Sequence, residues 1–399
     1  MSASRHVILC MTSYYKGNRF LMRCKQEGAH TILLTVKNML EEDWPRDHLD
    51  ELLAVPTFDD RRTVINAVGY LFRTRQIDRI VSLDDYDVEL ISYLREHFRL
   101  PGLGDSGARF FRDKLAMRTR AAECGITQPP FVPLFNNDAV KEFMAAHPGP
   151  WLMKPRSEAS AIGIKKMHTS DDVWRRLDEL GDDRSFHLLE QMIPGDLFHV
   201  DSIVARHKVA FAFASQYARP LLDVYHGGGV YATRTIDQNS PDAKALCAAN
   251  TQVLTGFGLD SCASHTEFMR SHADGKYYFI ETSCRVGGAN TAEMVEAAFG
   301  VNLWSEWAKV ELDRDRDYQV PPLKNRFAGT IVSLTRFDWP DYGPFNAPEI
   351  VYRMKKKSHI GLVVCADAPQ RVESLLTDYQ QRIARDYLAV LPAADKATA

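Results

Sequence analysis

The chain has 399 residues, 49 basic and 52 acidic, for a formal net charge of −3. Apolar residues make up 45% and charged residues 25%, the balance of a folded protein of roughly two to three domains. That balance excludes a disordered chain and a strongly basic nucleic-acid binder; Lys355–Lys357 behind Arg353 reads as a solvated face. No run approaches the roughly 20 apolar residues that cross a bilayer, and Val7–Met11 is too short for a signal-peptide core. The seven cysteines are scattered and contain no C-x-x-C, so neither a disulfide framework nor a zinc site is suggested. A reduced, cytoplasmic protein without nucleic-acid or membrane partners is expected.

The first hundred residues alternate strands and helices. Strands are predicted at His6–Met11, Thr31–Val36 and Arg79–Leu83, and helices at Phe20–Glu27, Arg61–Thr74 and Val88–Phe98. This alternation argues for a parallel sheet covered on both faces. No G-x-G-x-x-G follows the first strand, so a dinucleotide site is unsupported.

Pro101-Gly102-Leu103-Gly104 marks the first boundary. One helix is predicted from Ser106 to Cys124. The texture then becomes α+β. Short strands are expected at Pro150–Lys154, Ile164–His168, His187–Met192, Phe198–Val204 and Val209–Ser215. The clear helix among them is Asp171–Leu180, capped by Ser170. Another runs from Ser240 to Phe257, with Ser240 as cap, Pro241 at N1 and Gly258 near its end. Strands Gly329–Leu334, Glu349–Met354 and Gly361–Cys365 and a helix from Pro369 to Tyr387 close the pattern.

The most informative stretch is His265-Thr-Glu267-Phe-Met269, then Ala273-Asp274-Gly275, then Phe279-Ile-Glu281-Thr-Ser283-Cys-Arg285. It reads as two strands joined by a three-residue hairpin loop centred on Asp274. That centring places Glu267 opposite Glu281, His265 opposite Ser283 and Met269 opposite Phe279. Period two puts Glu281, Ser283 and Arg285 on one face. Two carboxylates directly opposed repel unless a cation sits between them, and oxygen ligands with a phosphate suit Mg²⁺. Arg285 would hold phosphate or an oxyanion. A surface hairpin with two solvated glutamates fits the same residues.

Two further features stand alone less firmly. Strand Trp151–Lys154 ends in a lysine and runs into the small-residue loop Ser157–Gly163, whose backbone amides can approach a phosphate; a lysine snorkelling at a strand end fits equally. Strand Leu188-Leu-Glu190-Gln191-Met192 breaks at Ile193-Pro194-Gly195, leaving backbone groups free to pair with an adenine edge, or simply ending a strand.

In this order, over roughly Asp105 to Asp313, these features resemble the ATP-grasp superfamily. The fold class implied is α/β and α+β multidomain: an N-terminal parallel-sheet (pre-ATP-grasp) domain, 1–104, followed by an ATP-grasp domain, 105–315. A small nucleotide-covering subdomain is expected at about 130–200, a C-terminal α+β segment at 316–391 and a disordered tail at 392–399. The resemblance implies nucleotide-binding roles for Lys114 and Lys154, for the loop with Ser157, Ser160 and Gly163, and for Glu190, Gln191 and Ile193. Leu197 stands where the family usually has a ribose-binding acid, so neighbouring Asp196 is the substitute. Glu267 and Glu281 match the metal carboxylates, and Ser283 replaces the usual asparagine. Arg285 matches the arginine that neutralises an acyl phosphate, and Gly287-Gly288 continue its loop.

The resemblance implies ATP and one or two Mg²⁺ ions (or Mn²⁺) as cofactors, small-molecule carboxylate and amine substrates, and a possible homodimer. It implies a carboxylate–amine ligase, similar to L-amino acid and D-alanine–D-alanine ligases, that works through an acyl phosphate and releases ADP and phosphate. His265, Gly228, Gly287 and Gly288 are candidate substrate contacts. His226 and His265 are candidate bases, and Arg234 is a candidate carboxylate holder. An acid–thiol ligase and a non-catalytic nucleotide-binding protein are the alternatives.

Overall fold

The structure, a computed structural model, describes residues 6–159, 161–222, 224, 229–313 and 317–389. Its first sheet is parallel and four-stranded: β1 (Val7–Thr12), β2 (His30–Val36), β3 (Glu51–Val55) and β4 (Arg79–Ser82), in the order β3-β2-β1-β4. Strands β1 and β2 are apolar runs buried on both faces, as parallel strands under helices must be. Sequence analysis misses β3, a short edge strand that is mostly half-exposed and has no β-branched run. Because β4 returns beside β1 rather than beyond β3, chain direction across the sheet reverses between β1 and β4.

The single helix expected from Ser106 to Cys124 is broken. A helical turn at Asp105–Ala108 and a 3₁₀ turn at Arg109–Phe111 precede a separate helix, Lys114–Glu123. Asp113 makes the break: its carboxylate accepts the N–H groups of Leu115 and Ala116 as an N-cap. Arg156 clasps that carboxylate, and the Lys114 N–H reaches the Arg156 carbonyl. The capped turn thereby places Lys114 at the head of the helix, against the chain that carries Lys154.

A second, antiparallel sheet contains β5 (Phe131–Pro133), β6 (Trp151–Pro155), β7 (Lys165–Met167) and β8 (His187–Gln191), in the order β5-β8-β6-β7. Two helices cover it. Asn137–Ala146 is absent from the sequence reading because only Val140 and Phe143 of it are buried. Ser170–Leu180 is capped by Thr169 rather than Ser170, because Thr169 and Asp172 form a reciprocal capping box.

The third sheet is antiparallel and eight-stranded. It contains β9 (Gly195–Ala205), β10 (Lys208–Tyr217), β11 (Tyr231–Thr235), β12 (Cys262–Ser271), β13 (Tyr277–Ser283), β14 (Phe327–Leu334), β15 (Ile350–Arg353) and β16 (His359–Ala366). Its order is β13-β12-β9-β10-β11-β14-β16-β15, so the C-terminal strands extend the same sheet through β11 and β14. One buried cluster joins the first and third sheets: Ile8, Phe20 and Leu21 lie in it with Phe198, Val200 and Trp307. Phe20 meets Trp307 edge-on at 4.9 Å. This shared core seats the carboxyl ends of β1 and β4 against the loop after β13. Among the described residues, no helix is long and apolar enough to cross a membrane, and all seven cysteines are free.

Candidate active site

The paired-glutamate hairpin forms, by a different route from the one expected. The strands stay paired as far as Arg270–Tyr277, and the Ser271 N–H bonds the Lys276 carbonyl, so the loop is longer than three residues. Near the turn, Phe268 pairs with Phe279 and Met269 with Tyr278, which corrects the expected Met269–Phe279 pair. A bulge at Ile280 then shifts the register by one. Beyond it Glu267 faces Glu281 and His265 faces Ser283, as predicted. The two errors cancel at the positions that matter. The bulge also frees the Ile280 carbonyl to accept from Arg118.

A cavity of ≈ 260 Å³ lies between the second and third sheets. Its apolar walls include Leu152, Ile164, Met192, Ile193 and Leu197, and its charged end is formed by Lys114, Lys154, Glu190, Glu267 and Glu281. A flat apolar slot ending in cations suits a nucleotide base followed by phosphates. Lys154 stands 2.5 Å from Glu190, and Arg118 stands 2.8 Å from it on the other side; all three are buried. Burial alone would raise the Glu190 pKa, but Arg118 and Lys154 outweigh it and keep the carboxylate ionised. Glu190 therefore orients two cations, and its own oxygens are taken. Gly163 closes the loop after Lys154 at φ 71, where a Cβ would stand 2.8 Å from Pro155.

A second cavity of ≈ 270 Å³ adjoins the first. Glu267, Glu281 and Leu221 line both, so the carboxylate pair forms the partition between them. Tyr217, Tyr231, His265, Arg285 and Gly288 line the far side. Lys114 lies 3.0 Å from Glu281. Burial pushes the Glu281 pKa up, but Lys114, then Lys154 and Arg285, hold it down at about 2. Tyr217 donates to Glu267 at 2.7 Å. The Ser283 hydroxyl is buried and has no hydrogen-bond partner among the described residues. Two opposed carboxylates and an unsatisfied hydroxyl form an all-oxygen donor set, which fits Mg²⁺ or Mn²⁺.

Behind Glu267 lies a relay absent from the sequence reading. Asp201, fully buried, accepts from His199 Nδ1 at 2.7 Å and His265 Nδ1 at 2.8 Å. Burial lowers the His265 pKa, but Asp201 more than reverses this and raises it to about 9. Both ring nitrogens nearest Asp201 serve as donors to it, so these three groups form a hydrogen-bonded unit. A Cβ on Gly287 would come within 2.8 Å of His265 Nδ1, which is why glycine stands there.

The N-terminal sheet contributes from the other side. Asp85 lies 3.5 Å from Arg285 and 3.7 Å from Arg112, and Lys16 pairs with Asp84. Sequence reasoning did not single out Lys16, Asp84, Asp85, Arg112 or Arg118. The available signals were the acids directly after β4 (Asp84-Asp85-Tyr86-Asp87) and the i, i+4 spacing of Lys114 and Arg118 on one helix face.

Several expected residues are not brought in. Gln191 turns outward to donate to the Pro148 carbonyl. Asp196 alternates away from Leu197, which lines the cavity, and sits exposed 3.3 Å from His272. Arg234 lies on the opposite face of β11 from Thr233, which bonds His199 in the site; it reaches Glu373 on the C-terminal helix instead. Ser157 is half-buried and lines neither cavity. Ser160, His226 and Gly228 lie outside the described residues, as does the 392–399 tail.

Two sheets closing on a cavity that ends in two lysines, with an opposed glutamate pair and an arginine beyond, are the arrangement of the ATP-grasp fold, and the chain has that fold. It is similar to L-amino acid ligases of that fold. The L-arginine-specific L-amino acid ligase of Bacillus subtilis is 23% identical over 319 residues, covering 76% of each chain. The L-amino acid ligase of Bacillus licheniformis superposes with a TM-score of 0.78 at 15% identity, over 98% of this chain and 100% of that one. The ATP complex of carboxyaminoimidazole ribonucleotide synthase from Aspergillus clavatus gives 0.73 at 12% identity, over 96% and 99%. No protein-family model matches the chain.

Proposed function

We propose that this protein is an ATP- and Mg²⁺-dependent carboxylate–amine ligase that joins small molecules, amino acids among them, through an acyl phosphate and releases ADP and phosphate. The observation that carries the reading is the position of Glu267 and Glu281 as the partition between two cavities. A nucleotide in the first and a carboxylic acid in the second would meet there.

The chain's own groups suit each demand of that reaction. Phosphoryl transfer needs alignment and charge neutralisation more than covalent chemistry. Lys114 and Lys154 face the phosphate end of the first cavity, and Glu190 fixes Lys154 in place. Glu267, Glu281 and Ser283 would hold the metal, which when bound neutralises phosphate charge. Arg285 borders the second cavity, placed to receive charge that develops on the acyl oxygen. His265, charged by its contact with Asp201, adds positive potential on the same wall. The L-amino acid ligases named above support amino acids as the substrate class.

The test is ADP and phosphate release with Mg-ATP over pairs of amino acids and small carboxylic acids, with mass spectrometry of products. Pair-dependent ADP release with a new amide mass is expected. ADP release that requires a thiol acceptor, or ATP binding without any release, would sink the proposal.

A further inference from the structure

A third cavity, ≈ 20 Å³, lies where the N-terminal sheet meets the loop after β13. A water-sized occupant needs roughly 10–15 Å³, so the space holds one small group. It shares His265, Glu281 and Arg285 with the second cavity. Four residues lining it carry a buried polar atom with no partner among the described residues: Asp85 Oδ1, Glu158 Oε2, Ser283 Oγ and Arg285 Nε. Asp85 and Ser283 are each only 7% exposed. Leaving one such atom unsatisfied costs about 1–3 kcal/mol; with the Ser283 hydroxyl assigned to the metal, three remain around a single void and mark a place built for an occupant. Two of the three are carboxylate oxygens, so the occupant brings N–H or O–H donors. Asp85 follows β4 at the point where strand order reverses, the crevice where open parallel sheets bind ligands.

We propose that this cavity seats the attacking amino group of the second substrate, held by Asp85 and Glu158, with Asp85 taking its proton. The inference rests on the ligase reading. The rest of that substrate lies in the adjoining ≈ 270 Å³ cavity. In the step itself, the nitrogen lone pair forms the C–N bond at the acyl carbon. The C–O bond to phosphate breaks, and phosphate leaves with that electron pair. The surplus proton on nitrogen passes to a carboxylate oxygen of Asp85. Arg285, ion-paired with the same Asp85, stays beside the acyl oxygen.

Competition between nucleophiles tests this. Protein, Mg-ATP and the twenty L-amino acids are incubated with hydroxylamine, which is already unprotonated near neutral pH and needs no base. Both nucleophiles draw on one acyl phosphate. The ratio of amide to hydroxamate therefore reads the amine's seat and not how much acyl phosphate forms. Asp85→Asn should lower that ratio at least about tenfold, as loss of a positioned base does, and Asp85→Glu should restore part of it. Glu158→Gln, in the loop after β6 and in no ion pair among the described residues, should lower it about threefold and serves if Asp85→Asn does not fold. A ratio unchanged in these variants overturns the inference, including the case where both products fall together because Asp85 acts only through Arg285. A wild type that forms neither product with any acid refutes the ligase reading itself and takes this inference with it.

Discussion

Glu190 and Glu281 both sit among cations in one cleft, yet their surroundings are finished to different degrees. Glu190 is 1% exposed, and each of its oxygens meets a cation within 2.8 Å. Glu281 is 29% exposed at its side chain because it faces the cavities, and it opposes a second carboxylate. Its neighbour Ser283 has no partner, and neither has Arg285 Nε, among the described residues. Both carboxylates are held ionised, but only Glu190 has both oxygens taken up by cations of the protein. A buried carboxylate whose oxygens are both taken positions the side chains around it; one that faces a cavity beside open donors and acceptors is prepared for something that arrives.

The comparison predicts different responses to mutation. Glu190→Ala should be the largest effect, a loss of about 3–5 kcal/mol of stability in chemical denaturation, because it strands two buried cations. Glu281→Gln and Glu267→Gln should act mainly on turnover. Each should lower amide formation by at least about a hundredfold. The denaturation midpoint should hold with Glu267→Gln, which removes one of two opposed charges. It should fall with Glu281→Gln, whose carboxylate is held ionised by Lys114, Lys154 and Arg285, but by less than with Glu190→Ala. A midpoint that falls with Glu267→Gln as far as with Glu190→Ala would erase the distinction. Lys154→Ala should raise the KM for ATP about tenfold, since an exchange of one charged contact is worth roughly that factor; steady-state kinetics at saturating acid and amine reads it.

The smallest effect concerns pH. Asp87, bonded to the Ser13 N–H and hydroxyl, is pushed by burial, and next by Asp84, up to about 7. Its folded pKa lies above the unfolded value of about 3.9. The native state therefore binds more protons between the two values, and stability falls as pH rises through that window. The wild-type melting temperature should decline from pH 5 to pH 7.5 more steeply than that of Asp87→Asn. Parallel pH profiles for the two proteins would refute it.

Much of this site was legible beforehand because it is local. A strand ending in Lys154, the Pro-Gly break after Glu190 and the Glu267–Glu281 spacing each lie within a few residues, where side-chain period and turn chemistry suffice. Even the hairpin shows the limit of such reading. The glutamates oppose each other only because a bulge compensates a longer loop, and bulges depend on what packs around them. The broken helix is similar: Asp113 is an ordinary capping residue, but Arg156, just past the end of β6, fixes it.

The sequence by itself determined the alternation that builds a parallel sheet, the α+β lobes that follow and the residue types that gather around the cavities, because hydrophobic period and motif spacing act along the chain. Only the tertiary structure decided which charges are spent on each other and which stay open. The Glu190–Arg118 pair spans 72 positions, Asp201–His265 spans 64, and Asp85 reaches Arg285 from another sheet. Ionic partnership acts through space over a few ångströms. It follows the packing of the three sheets against one another, and separation along the chain carries no record of it.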